Sequence, residues 1–218
     1  MKRKLTVSQL LKEARTFADV ESLYNEPYLF GKDNGKDVGT YVELKLKNYL
    51  GEKYKVKFSS AASGIDLPEL EVDIKVTSII QPQSSCPYRS ARQKIFGLGY
   101  SLLIFVYSKT NDEVTKTSNL NFLHTIFVDK ERTADYQTTT GLRQILENNG
   151  NADDLVSFML SRNLPLDDIE AYKIAEEILS GKPIVEGYLT ISNALQWRLQ
   201  YGRVIAEAGN VDGIWRVK

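Results

Sequence analysis

The stretch YSLLIFVYS, residues 100–108, is apolar at odd and even positions alike. A strand with one solvated face alternates apolar and polar side chains, so a run of this kind predicts a central strand covered on both faces. The segments around it supply strands to flank it and helices to cover it.

Residues 6–21 place Val7, Leu10, Leu11, Ala14, Phe17 and Ala18 at helical spacing, with Thr6 or Ser8 available as a cap. A turn-rich loop, NEPYLFGKDNGKD, separates them from a second helix over 36–50, where Val38, Val42 and Leu46 recur every four residues. The period then changes to two. In KYKVKFS, Tyr54, Val56 and Phe58 alternate with lysines, the pattern of a half-buried strand. Residues 70–78 alternate again, with Leu70, Val72, Ile74 and Val76 on one face. A short helix over 88–98 and the strand NFLHTIFVD, on either side of the central run, complete the order. Beyond residue 138 the pattern is helical over 140–148, 151–162, 166–180 and 191–208, before a short strand GIWRVK. The expected fold is α/β, a central mixed sheet flanked by helices, with residues 1–138 as the core and 139–218 as a mainly helical region. Gly181-Lys182-Pro183 is the clearest break in the chain.

One cysteine, Cys86, rules out an internal disulfide and a C-x-x-C metal site, and suits a reducing, cytoplasmic setting. The basic start MKRKLTVSQLL has too short an apolar run for a signal sequence, interrupted by Lys12 and Glu13, and LLIFVY is too short to span a bilayer. A soluble protein is expected. Net charge is zero, so there is no overall basic signature of a nucleic-acid binder. The charge is unevenly spread: residues 58–80 hold one basic and four acidic residues, and residues 81–110 hold four basic and no acidic ones. An acidic strand followed by an acid-free basic stretch suits a cation site beside a phosphate backbone, although windows of this length also fluctuate.

The acidic strand lies in GIDLPELEVDIKVTS, residues 64–78. Alternation puts Asp73 and Lys75 on the same side, about 7 Å apart at two residues' rise. Asp66 lies across the Leu67-Pro68 bend, and if 58–66 and 70–78 are adjacent strands its carboxylate approaches that of Asp73. Two such carboxylates repel unless a hard cation neutralises them, and Mg²⁺ suits oxygen ligands. An ammonium fixed nearby can orient an attacking water and stabilise charge at phosphorus. An amphipathic strand with a solvated charged face, with Asp66 capping a turn, would carry the same letters. Favouring a site are Asp66 at hairpin distance, Glu43 on the preceding helix and the basic helix that follows. Glu71, on the same face as Asp73, is a rival, but its neighbour two residues on is Asp73 and not a lysine.

Asp66, six intervening residues, then Asp73-Ile74-Lys75 resembles the signature of the PD-(D/E)XK nuclease superfamily, and the helix–strands–helix–strand order around it is similar to that superfamily's core. The resemblance covers residues 36–110 and is closest to type II restriction endonucleases, although Ile65 stands where a proline is usual and Asp73 where glutamate is commoner. It implies Asp66 and Asp73 as metal ligands, Glu43 as a further metal contact, Lys75 as the water's helper, and Mg²⁺ as cofactor, with Mn²⁺ able to substitute. It also implies double-stranded DNA as partner and a homodimer to cut both strands. No G-x-x-x-x-G-K-[ST] segment is present, so no nucleotide cofactor is expected.

Two segments offer side chains to DNA. The first holds Tyr88, Arg89, Arg92, Gln93 and Lys94, which can bind phosphates or read base edges, or simply form a solvated basic face. The second is the helix expected at 191–208, which with GIWRV looks like part of a winged-helix module. It places Gln196, Gln200 and Arg203 on a polar face suited to a major groove or to packing within the protein. Trp197, Trp215 and His124 read as structural. The expected function is a Mg²⁺-dependent type II restriction endonuclease hydrolysing phosphodiesters with a metal-activated water. The alternatives are a non-catalytic DNA-binding regulator and a nuclease of the same superfamily acting in repair, on branched DNA or on RNA.

Overall fold

The computed structural model describes residues 2–59, 64–85, 90–192 and 198–218. In chain order the first half holds β1 (Arg3–Lys4), α1 (Val7–Glu21), β2 (Asn25–Glu26), α2 (Gly35–Lys53), β3 (Tyr54–Lys55), β4 (Val72–Ser78), β5 (Gln83–Ser85) and α3 (Arg92–Phe96). There follow β6 (Ser101–Asp112), β7 (Thr117–Val128), α4 (Tyr136–Glu147), α5 (Ala152–Ser161), α6 (Asp168–Leu179), β8 (Thr190–Ile191), β9 (Arg198–Gln200), α7 (Gly202–Glu207) and β10 (Ile214–Arg216). Among the described residues no helix is long and apolar enough to cross a membrane.

The class is α/β, with a mixed central sheet in the order β10-β7-β6-β4 and β2 attached to β7. Strand β4 runs parallel to β6, which forms a long antiparallel hairpin with β7. The apolar run 102–107 is buried throughout, as a strand covered on both faces requires. Its odd positions, Leu103, Phe105 and Tyr107, pack with Phe17 of α1 and with Val38, Val42, Leu46 and Leu50 of α2. Its even positions, Leu102, Ile104 and Val106, pack with Leu189, Ile191, Leu199, Tyr201, Val204 and Ile214. Helices α4, α5 and α6 pack on one another and on Ala91 and Ile95 around a third cluster. The first helix begins at a capping box between Thr6 and Gln9, and Asn34 caps α2, satisfying amide donors that an open helix end leaves unpaired.

Four expectations are corrected. KYKVKFS contributes only the two residues of β3, which pair in parallel with β1 away from β4, so residues 58–66 and 70–78 are not a strand pair. The helix expected at 88–98 is limited to Arg92–Phe96; residues 86–89 lie outside the described residues. No continuous helix spans 191–208. Instead β8 and β9 pair with β5 in a three-stranded antiparallel sheet, and α7 is six residues long. Ile191, Leu199 and Tyr201 are buried against the central sheet, and pairing with β5 satisfies backbone groups that a helix would otherwise have bonded. Trp215, expected in the core, is half exposed on β10 and donates from its indole to Asp129 Oδ2 at 3.0 Å.

Candidate active site

Strand β4 sorts its side chains by parity. Ile74 and Val76 pair with Leu103 and Phe105 and face the helices α1 and α2, whereas Asp73, Lys75 and Thr77 pair with Leu102, Ile104 and Val106 and share the opposite face. Being at the end of the sheet, β4 also has an edge that, beyond the single bridge of Val72 to Leu67, pairs with no strand among the described residues.

Asp66 reaches that edge through a tight turn. Leu67 and Val72 exchange backbone hydrogen bonds of 2.9 and 3.2 Å around a 3₁₀ turn, Pro68–Leu70, and Glu71 takes the left-handed conformation (φ 53°) that returns the chain into β4. The Asp66 Oδ2 atom then accepts the backbone N–H of Ile74 at 2.9 Å. From the other side Lys47 of α2 donates to Asp66 Oδ1 at 2.7 Å and to Glu43 Oε1 at 2.5 Å. Asp66 is thus held by one backbone amide and one ammonium while lying beside Asp73.

Asp73 is 4% exposed, and the Lys75 ammonium stands 2.7 Å from its Oδ2. The approach lacks hydrogen-bond geometry, so this buried oxygen is ion-paired yet keeps no hydrogen bond of its own. Burial pushes the Asp73 carboxyl up to about 6, against the pull of Lys75 and with the help of Asp66. For Asp66 burial acts upward too, but hydrogen bonds from Asp73, Lys47 and the Ile74 amide outweigh it and hold the carboxyl below its ordinary value. Burial, with Asp66 adding to it, raises Glu43 despite Lys47. Two neighbouring carboxyls driven in opposite directions share their protons as one unit.

Among the described residues no three His, Cys, Asp or Glu side chains form a ready-made metal cage. A pair of carboxylates with an unsatisfied buried oxygen nevertheless fits Mg²⁺, which binds through one or two carboxylates and otherwise keeps water and substrate phosphate oxygens. Glu43 is joined to this pair through Lys47. The rival Glu71 lies outside β4, and its carboxylate pairs with Lys130 at 2.8 Å.

The residues expected at DNA are dispersed. Arg92 donates to Glu170 of α6 at 2.8 Å and pairs with Glu177, and Lys94 is buried, which lowers its pKa. Arg92 is partly exposed but engaged by α6, and Lys94 is buried where α3 packs against the helical cluster. Gln93 lies between them on α3. Gln200 is exposed at the end of β9, and the Arg203 guanidinium lies 3.4 Å above the Tyr136 ring. Tyr88, Arg89 and Gln196 lie outside the described residues. His124 occupies β7 opposite Val106, and burial lowers its pKa.

Lys47 escaped the sequence reading, although its place four residues after Glu43, on the same helix face, was the available signal. Replacing it with methionine leaves Glu43 and Asp66 facing each other with no counter-charge. Lys47→Met is expected to lower stability in metal-free buffer by about 1–3 kcal/mol, short of the cost at a fully buried pair because water still reaches the site. Urea denaturation at neutral pH measures this, and the deficit should shrink near pH 4, where Glu43, raised by burial, takes up its proton.

The family model described as type II restriction enzyme NspV matches residues 4–216. The chain is similar to the type II restriction enzyme NspV of Nostoc sp. (strain ATCC 29411 / PCC 7524), at 60% identity over 213 residues, 98% of this chain and 96% of that relative. No solved structure matches it.

Proposed function

This chain belongs to the NspV family of type II restriction enzymes, and from that premise we propose that it is a Mg²⁺-dependent endonuclease of the PD-(D/E)XK kind that cuts double-stranded DNA with Asp66, Asp73 and Lys75. The observation that carries the reading is the meeting of Asp66 and Asp73 at the edge of β4, with the Lys75 ammonium 2.7 Å from Asp73. The sheet with its flanking helices is read as a restriction-endonuclease-like core, and the enzyme as a homodimer acting without a nucleotide cofactor.

A bound divalent cation supplies Lewis acidity toward the scissile phosphate and makes a water nucleophilic near neutral pH. Asp66 and Asp73 would hold it, with Glu43, bonded here to Lys47, as a further carboxylate beside them. Lys75 has two tasks. Its ammonium donates to the attacking water and orients it, and it stabilises the negative charge that grows on the phosphate oxygens. Its place on one strand face with Asp73 fixes it before substrate arrives, so little reorganisation accompanies the reaction.

The reading is tested by incubating plasmid and phage DNA with the enzyme in Mg²⁺, in Mn²⁺ and in EDTA. Discrete fragments in either metal and none in EDTA are expected; cutting that persists in EDTA, or no discrete fragments at all, overturns it.

The pH dependence has a definite sign. Asp73 ionises in the folded protein at about 6 and in the unfolded chain near 4. Its contribution to the stability of the metal-free protein is therefore lost as pH rises from about 4 to 6. Cleavage at limiting Mg²⁺ runs the other way, falling about tenfold per pH unit below about 6, where Asp73 takes up its proton. Melting curves and initial rates over pH 4.5–8 measure the two trends.

A further inference from the structure

The sheet β5-β9-β8 has no assigned role, yet it is anchored to the candidate active site. Thr77, two residues beyond Lys75 on the same face of β4, accepts the Gln83 backbone N–H and donates to the Gln83 carbonyl, both at 3.0 Å. Pairing opposes Ser84 to Leu199 and Leu199 to Ile191, and these form the inner face. Leu199 and Ile191 are buried, and Ser84 Oγ bonds the Tyr201 hydroxyl at 2.5 Å. By parity Gln83, Ser85, Arg198, Gln200 and Thr190 share the outer face, with Gln83 directly opposite Gln200, Gln200 opposite Thr190, and Ser85 opposite Arg198. Gln200 and Ser85 are exposed, and the other three are partly so.

Among the described residues this outer face carries two amides, one guanidinium, two hydroxyls and no acid. It matches the chemistry of base edges. A β-ribbon fits the major groove, where glutamine pairs with adenine N6 and N7, arginine with guanine N7 and O6, and hydroxyls with either. Its spacing matches as well. Residues two apart on a strand stand about 7 Å apart, or roughly two steps of a duplex that rises about 3.4 Å per nucleotide. We infer that the outer face of β5-β9-β8 is the surface with which the enzyme reads its target sequence, Gln83 and Gln200 specifying adenines and Arg198 a guanine. The inference rests on the proposed nuclease site, because it places the reader on the face of β4 that carries Asp73 and Lys75.

The test uses a pool of duplexes with a ten-base-pair randomised centre, cut by full-length enzyme in Mg²⁺, with the cut ends sequenced. Gln83→Ala, Gln200→Ala and Arg198→Ala are each expected to relax base preference about 10- to 100-fold at one or two positions, the discrimination of one bidentate contact, and to leave the others as in wild type. Gln83→Glu and Gln200→Glu keep side-chain shape and exchange donor for acceptor, so preference there should move from adenine toward cytosine. These two variants also decide the matter if an alanine variant fails to fold. Unchanged preference at every position, or a loss uniform over all sequences, overturns the inference. The same pool is selected by filter binding in Ca²⁺. If wild type cuts nothing in Mg²⁺ yet the bound sequences relax in the variants, the nuclease reading has failed and the assignment of the reader stands.

Discussion

Lys75→Met is expected to cut plasmid DNA about 10²–10³-fold more slowly than wild type under single-turnover conditions, the loss typical when a positioned charge is removed from a developing anion. For Asp73→Asn the loss should be at least as large, since the amide keeps the shape but surrenders the charge proposed to hold the cation. The informative companion measurement is stability. Burial raises the Asp73 pKa, so its ionised form is disfavoured in the metal-free fold even with Lys75 beside it. Asp73→Asn is therefore expected to melt at or above the wild-type temperature while cutting little or nothing, the mark of a residue retained for activity against stability. Were it to melt far lower, or cut normally, Asp73 would be a structural residue.

The second large effect lies behind the site. Phe105 is fully buried on the helix-facing side of β6, edge-on to Phe17 at 5.9 Å and to Phe122 at 5.6 Å, and opposite Val76 of β4. Truncation removes a large apolar surface and the aromatic contacts with it, and three neighbouring elements cannot all collapse into the space. Phe105→Ala is expected to destabilise by about 3–5 kcal/mol. That corresponds to a fall of about 6–20 °C in Tm for a chain of this length, checked by calorimetry. Because Val76 adjoins Lys75, cleavage by the surviving folded fraction should also decline.

Periodicity made the sheet and its first covering layer legible. The two-sided apolar run could only be central, and the four-residue recurrence of Val38, Val42 and Leu46 gave α2 and the face it buries. The pairing of Asp73 with Lys75 followed from strand parity alone. The approach of Asp66 depends instead on a 3₁₀ turn and a left-handed Glu71, which leave little trace in a sequence where the position is not glycine. The helices expected over 140–148, 151–162 and 166–180 are present as α4, α5 and α6, and only 191–208 departs from the helical period. Leu199 and Ala206 match a helical face, but Leu199 and Tyr201 also alternate as a strand does, and only the partner strand β5, more than a hundred residues earlier, decides between them. Likewise the ion pairs that engage Arg92 come from α6, and Lys94 is buried near Asp135 and Arg162, distant partners that no local charge pattern reveals.

The open edge of β4 has a consequence beyond chemistry. An unpaired edge in a largely apolar sheet is a template for the strands of other molecules, and proteins commonly guard such edges with charge. Here Asp66 occupies the Ile74 amide, and Lys47 and Glu43 set further charges beside it. The residues proposed to receive a metal ion thus also cap the sheet against aggregation, and a substitution that strips them exposes the chain to self-association as well as to loss of cutting.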